Sequence, residues 1–400
     1  MSAGAVRERA RRMLALGLAG RLEGWHIDLS RLEAAAERVA ALTRNTYPTL
    51  EVPLHARWRH FSIGSEDRWE KIDAATPWRD RDSRARSAFD LAIISVLLDA
   101  GAGPRWRYRD PATGALLAGS EGLALASLAL FADGALSSDP RTPLRADAQA
   151  LSSLSEETLA RYFQVSATNP LLGVEGRLTL LRRLGGLVAA RPDVFGRADA
   201  ARPGGLFDHL ARHAPHGSIA ACAVLVHVLK ELQPIWPSRI TLGGVRLGDC
   251  WRHPAMAAAD PTSELVPLHK LSQWLTYSLL EPLNASGIAT TDLDGLTGLA
   301  EYRNGGLLID MGVLVFGDGA AAARSHAIDA PLVVAWRALT VALIDVLAER
   351  VRQKLGVDAA RFPLAKVLQG GTWAAGRAIA REHRADGSPP LRVISDGTVF

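Results

Sequence analysis

Residues 330–356, APLVVAWRALTVALIDVLAERVRQKLG, decide the fold class. The stretch is far longer than a strand and apolar at helical spacing, so it reads as a long, largely buried helix. Asp345 lies inside it, with Glu349 one turn later on the same face. A carboxylate is costly in such a setting unless Arg337, Arg352 or a ligand partners it. Asp345 therefore reads equally as half of a structural ion pair and as a catalytic carboxylate.

Outward from this helix the chain keeps the same character. DLSRLEAAAERVAALTRNTY (28–47) opens on an Asp/Ser cap and repeats leucine, alanine and valine at helical spacing. SRARSAFDLAIISVLLDAGAG (83–103) predicts a buried helix that stops at glycine, with Asp90 and Asp99 bracketing it as end-of-helix groups. Further helices are expected at 120–136, 155–165, 174–195, 218–232 and 269–283. Strands are few. WRYRDPATGALLAG (106–119) predicts a hairpin turning at Pro111–Gly114, and RITLGGVRLGD (239–249) a tighter one at Gly243-Gly244. LRVISDGTVF (391–400) reads as a last extended segment. Breakers at 137–144, 191–205 and 284–298 mark loops, none long or polar enough to be a linker. The expected fold is mainly α with a few short β-hairpins, a single domain over 1–400 or two closely packed helical lobes at about 1–150 and 151–400.

Composition narrows the class. A chain of 400 residues with 48% hydrophobic and 22% charged residues is an ordinary globular one. Its net charge is only +4, without a stripe or a charged tail, which speaks against nucleic acid and mildly for an anionic small ligand. Cys222 and Cys250 form no CxxC pair, so a reducing cytoplasm fits better than a disulfide scaffold. RLEGW interrupts the apolar core that a leader peptide would need near the N-terminus, and no uninterrupted apolar run reaches the ~18–20 residues of a membrane span. There is no GxxxxGK[ST] loop, no GxGxxG after a strand, no HExxH, no clustered His/Cys set and no GxSxG. No cofactor and no metal is expected. Carboxylate and arginine chemistry remains, supported by histidine and tryptophan.

Three further clusters carry that chemistry. HARWRHF gathers His55, Arg57, Trp58, Arg59 and His60; its arginines suit a phosphate and its tryptophan a planar group. On the helix over 268–279, His269, Gln273 and Thr276 form one polar stripe, facing either a cavity or water. Trp251, upstream, reads as core or pocket wall. GLTGLAEYRNGGLLIDMGVL sets Glu301, Arg303, Asn304 and Asp310 among apolar residues, the polar convergence expected of a small-molecule pocket. Glu301 and Asp310 are nine residues apart, on opposite faces of a continuous helix, but a break at Gly305-Gly306 would let both reach one site. The competing reading makes Glu301 a helix end paired with an arginine.

HARWRHF, FDLAIISVLLDAGAGPRWRY, NPLLGVEGRLTLLRRLG, GDCWRH, DPTSELVPLHKLSQWLTYSLLEPL, GLAEYRNGGLLIDMGVL, AWRALTVALID, FPLAKVLQGGTWAAGR and DGTVF together resemble the uracil-catabolism protein 4 family of fungi and bacteria, from about residue 5 onward. That resemblance implies a uracil breakdown route in which a uracil nucleotide is opened and urea is released. AEYRNGGLLIDMGVL is also similar to the DYRVPQ segment of queuosine salvage nucleosidases, whose fold resembles helix-hairpin-helix DNA glycosylases. It departs from that segment in having Asn304-Gly305-Gly306 where the pattern has Val-Pro-Gln. Glu301 stands at the pattern's acidic position, and Asp345 is the nearest counterpart of the later catalytic aspartate.

Together these resemblances imply an N-ribosyl hydrolase releasing urea from ribosylurea or its 5-phosphate. Asp345 or Glu301 would oppose charge on the sugar, Asp310 would bind sugar hydroxyls or the water, and His269 would assist the leaving urea. Arg57, Arg59 or Arg303 would hold a phosphate. The expected partners are that small molecule and other uracil-catabolism enzymes, with no membrane. Two other classes stand beside this reading: a non-catalytic partner of the ring-opening enzyme, and a nucleic-acid glycosylase.

Overall fold

The computed structural model describes residues 1–196, 201–236 and 239–394; the DGTVF segment, and the expected extended segment beyond Ile394, lie outside the described residues. The fold is mainly α, and strands occur only in two-stranded pairings among the described residues. The chain divides into two compact units, each built from separate stretches of sequence. The first takes residues 1–55, 239–273 and 292–394; the second takes 56–236 and 274–291.

The Pro331–Leu355 helix is the axis of the first unit. Pro331 opens it and Gly356, in left-handed conformation (φ 69°), closes it. It is buried on nearly every side, as expected of a core helix apolar all round. By length and composition it is apolar enough to cross a bilayer, yet 78% of its most apolar window is buried within the protein. Its most extensive helix packing is with Ala3–Leu18 and Leu32–Thr46. The first was not expected. Its buried residues Val6, Ala10, Met13 and Gly17 keep helical spacing, but the intervening arginines disguise that stripe in the sequence.

The Tyr302–Asp310 helix also belongs to this unit, and it runs unbroken through Gly305-Gly306, against the break expected there. The glycines serve close packing. A Cβ on Gly305 would lie 2.6 Å from the Trp336 ring, and one on Gly376 would strike the Arg303 carbonyl from the neighbouring Trp373–His383 helix. Strand pairs tie distant segments together. Trp25–Ile27 runs antiparallel to Leu314–Phe316, and Cys250–Arg252 antiparallel to Leu265–Pro267, with Trp251 opposite Val266. The hairpin at Gly243-Gly244 forms as expected, both glycines at positive φ.

In the second unit the Arg81–Leu97 helix starts on a capping box made by Asp80 and Ser83. The expectation for Asp90 is corrected here. It lies mid-helix and fully buried, where the Arg202 guanidinium and the amides of Ala146 and Gly204 bond its carboxylate. Burial pushes its carboxyl up, against the pull of Arg202 and both amides. The expected hairpin pairs Tyr108–Arg109 with Leu116–Leu117, and Gly114 turns at φ 72°.

Candidate functional site

Polar groups that lie far apart in the sequence join in one buried network of the first unit. The chain enters the Tyr302–Asp310 helix through Glu301, whose backbone is extended and whose side chain caps the helix. Its carboxylate accepts the amides of Arg303 at 2.7 Å and Asn304 at 2.5 Å. Among the described residues no side chain hydrogen-bonds to it. Burial pushes the Glu301 carboxyl above the usual range, while the two amides, Lys270 and Arg303 pull it back.

Behind Glu301 stands a buried ion pair. Arg337 grips Asp249 with two hydrogen bonds of 2.8 and 2.9 Å, and its Nε donates to the carbonyl of Ala300, the residue before Glu301. Asp249 also accepts Trp251 Nε1 at 2.7 Å and the Lys270 amide at 2.9 Å. Burial alone would raise the Asp249 carboxyl; the Arg337 charge and these hydrogen bonds outweigh it and hold the group at about 2. The network therefore sets a buried ion pair beside a carboxylate that, among the described residues, no cationic side chain hydrogen-bonds.

His269 and Asn304 complete it. His269 takes a left-handed backbone (φ 49°), uncommon for a residue with a side chain, and its amide donates to the Asp249 carbonyl at 3.1 Å. Burial drives its imidazole down to about 4, so the ring is neutral at ordinary pH. Among the described residues, His269 Nε2 and Asn304 Oδ1 are both buried without a hydrogen-bond partner. Such atoms are rare in folded proteins, and a bound water or a polar ligand group would satisfy them.

The other expected residues of this unit fall elsewhere. Asp310, at the far end of the Glu301 helix, is gripped by Arg384 at 2.8 and 2.5 Å, with His383 Nδ1 3.6 Å away. A continuous helix separates Glu301 and Asp310 by about 13 Å, at 1.5 Å per residue. Asp345 pairs with Arg7 at 2.7 Å and faces a 770 Å³ cavity that Arg11, Arg350, Arg352 and Asp294 also line. His55 Nδ1 meets Gln369 at 2.9 Å. Gln273 is tied to Thr297, donating to its hydroxyl at 2.7 Å and accepting its amide at 3.0 Å, so the polar stripe of the 268–279 helix turns inward here rather than to water. Trp251 lines a 520 Å³ cavity, with the Arg239 guanidinium 4.9 Å above its ring. Arg303 bonds the Gly387 carbonyl at 2.9 Å, and its buried Nε has no hydrogen-bond partner among the described residues.

In the second unit the Arg57–Phe61 part of HARWRHF forms a short 3-10 turn. Arg57 is fully buried and committed to Asp99, Ser95 and the Ser120 carbonyl. Trp58 donates to the Ser278 carbonyl at 2.7 Å and packs against Trp69, ring centroids 5.7 Å apart and planes tilted by 38°. Arg59 pairs with Glu281 at 2.6 Å, and Trp58, Arg59 and Glu281 line a 360 Å³ cavity with Asp73 and Arg84. Burial pushes Glu281 up against the pull of Arg59.

Asp249, Lys270 and Glu281 escaped the sequence reading. Glu281 had the signal that drew attention to Asp345, an acid within an apolar helix. Asp249 had none, because its partner Arg337 lies 88 residues away.

Comparison with known proteins matches the whole chain, residues 1–400, to a family described as a protein of unknown function, DUF1688. Protein urg3 of Schizosaccharomyces pombe is 36% identical over 409 residues, covering 99% of this chain and 96% of that relative. Uracil catabolism protein 4 of Lachancea kluyveri is 36% identical over 409 residues, covering 94% of this chain and 91% of that relative.

Proposed function

The chain belongs to the DUF1688 family, and from that premise we propose that it acts in uracil catabolism as an N-ribosyl hydrolase releasing urea. The substrate is ribosylurea or its 5-phosphate. The name of the Lachancea kluyveri relative supports the route. The observation that carries the chemistry is Glu301, a buried carboxylate held by two backbone amides and, among the described residues, hydrogen-bonded by no cationic side chain.

Hydrolysis breaks the bond between C1′ of the ribose and a urea nitrogen. Water supplies hydroxyl to C1′, and a proton goes to the departing urea. Positive charge builds on the sugar as the bond breaks, and a fixed anion in a dry setting lowers that barrier most. Glu301 is suited to this role. Its amide bonds orient it, and its charge is not already cancelled as those of Asp310 and Asp345 are by Arg384 and Arg7. Glu281 is likewise matched by Arg59. The neutral His269 ring offers Nε2 to the leaving urea, and Asn304 Oδ1 accepts from a urea N–H or a sugar hydroxyl. Arg303 Nε remains available to a polar group of the substrate.

The test is incubation of the purified chain with ribosylurea and with ribosylurea 5-phosphate, followed by assay of free urea. Urea from either substrate, lost in Glu301→Gln and kept in Asp345→Asn and Glu281→Gln, supports the reading. Urea release that disappears only in Asp345→Asn moves the stabilising charge to the Arg7 cavity. No release from either substrate favours a non-catalytic partner of the ring-opening enzyme.

A further inference from the structure

Three histidines of the second unit, dispersed in the sequence, meet on the packed faces of two helices. His209 is in the last turn of the Gly205–Arg212 helix, His213 caps that helix one turn on, and His227 comes from the Ala221–Glu231 helix. Their ligating nitrogens all lie within 4.8 Å of one another, with His209 Nε2 only 3.0 Å from His227 Nδ1. The ring centroids are 4.5 to 4.9 Å apart. None of these residues takes part in the Glu301 network, and the sequence reading set metal aside for want of a clustered His set.

We propose that His209, His213 and His227 form a binding site for one zinc-class divalent cation, which joins the end of the first helix to the second. Zinc takes imidazole nitrogens at about 2.0–2.1 Å, which places tetrahedral ligands about 3.4 Å from each other. The observed spacing brackets that value, so small ring rotations bring all three nitrogens onto one ion. The second shell is already built. His213 Nδ1 lies 2.8 Å from the His209 carbonyl, and a proton donated there leaves His213 Nε2 as the metal-binding atom. Glu231, almost fully buried, sets a carboxylate oxygen 4.0 Å from His209 Nε2 and adds negative charge beside the ion. Arg191 and Lys230 also contact Glu231, which keeps it in place and reduces its pull on the cation.

Three imidazoles leave the fourth position of a tetrahedral ion to water, and the exposure of His213 puts that position near solvent. Zinc here fits an open site rather than a closed structural one. The HLARH spacing alone places two histidines on one helical face, and His227 supplies the third only once the helices pack.

The experiment uses the full chain without a histidine tag, stripped by a chelator, and titrates zinc alone by calorimetry. One equivalent should bind per chain. His213→Gln and His227→Gln should each weaken binding at least tenfold while circular dichroism shows an intact fold. Zinc should also raise the thermal midpoint of the parent chain and not that of His213→Gln. Absence of stoichiometric binding by the parent overturns the proposal. So does equal affinity in parent and His213→Gln, because the ion then sits elsewhere.

Discussion

The Tyr302–Asp310 helix carries a carboxylate at each end, and the two ends treat it in opposite ways. At the N-terminus Glu301 takes two backbone amides and lies where the helix dipole favours negative charge. At the C-terminus Asp310 lies where the same dipole opposes it, and the two-pronged grip of Arg384 compensates. At Glu301 the amides only partly offset the cost of burying the charge; at Asp310 a guanidinium matches the charge directly. Both ends carry a carboxylate, so surroundings rather than the ionisable group separate the one suited to reaction from the one suited to holding a helix in place.

The largest expected effect tests the support behind the Glu301 end. Arg337→Met leaves Asp249 buried and uncompensated, which should cost about 3–5 kcal/mol in urea denaturation. A loss under about 1 kcal/mol would mean that the ion pair does not hold this end together. Next comes chemistry at the two ends. Glu301→Gln should slow urea release by roughly 10²–10³-fold, whereas Asp310→Asn should leave it near the parental rate. Equal losses in both would erase the contrast. Stability should then run the other way. Arg384→Ala strips Asp310 of its partner and should cost about 1–3 kcal/mol, while Glu301→Gln costs less because one amide bond survives.

The smallest effect concerns pH. Burial raises the Glu301 carboxyl in the folded chain above its usual 4.5, so its contribution is fully present below that value and is lost as pH rises through the higher folded value. Asp249 has the opposite sign: it contributes above its usual 3.8 and loses that contribution as pH falls towards about 2. Denaturation of Glu301→Gln from pH 4 to 7 should show it gaining on the parent as pH rises. A constant difference would show that burial leaves Glu301 unperturbed.

Fold class was legible because the long apolar segments had one physical solution. Residues 330–356 are too long for a strand and too apolar for an exposed helix. The reading failed where packing overrode local preference. Gly305-Gly306 looked like a break, yet Trp336 presses on that turn and needs the absence of side chains there. Asp90 looked like a helix end, yet Arg202 and two amides receive it mid-helix. In the candidate site Glu301, His269 and Asn304 stood out as polar residues in apolar company. Asp249, in the GDCWRH loop, looked ordinary, and only contact with Arg337 gives it meaning.

The two units also differ in when they come into being. Residues 56–236 are nearly contiguous, so most of the second unit leaves the ribosome in one piece. The Ala3–Leu18 helix packs on Pro331–Leu355, and at about 5–20 residues per second it waits roughly 20–70 s for that partner. Through that interval the helix lacks its main packing partner and has only the Trp25–Ile27 strand and, later, the 254–267 segment to lie against. A nascent chain stalled before residue 331 should therefore present Val6, Ala10 and Met13 to chaperones, and release from the stall should withdraw them.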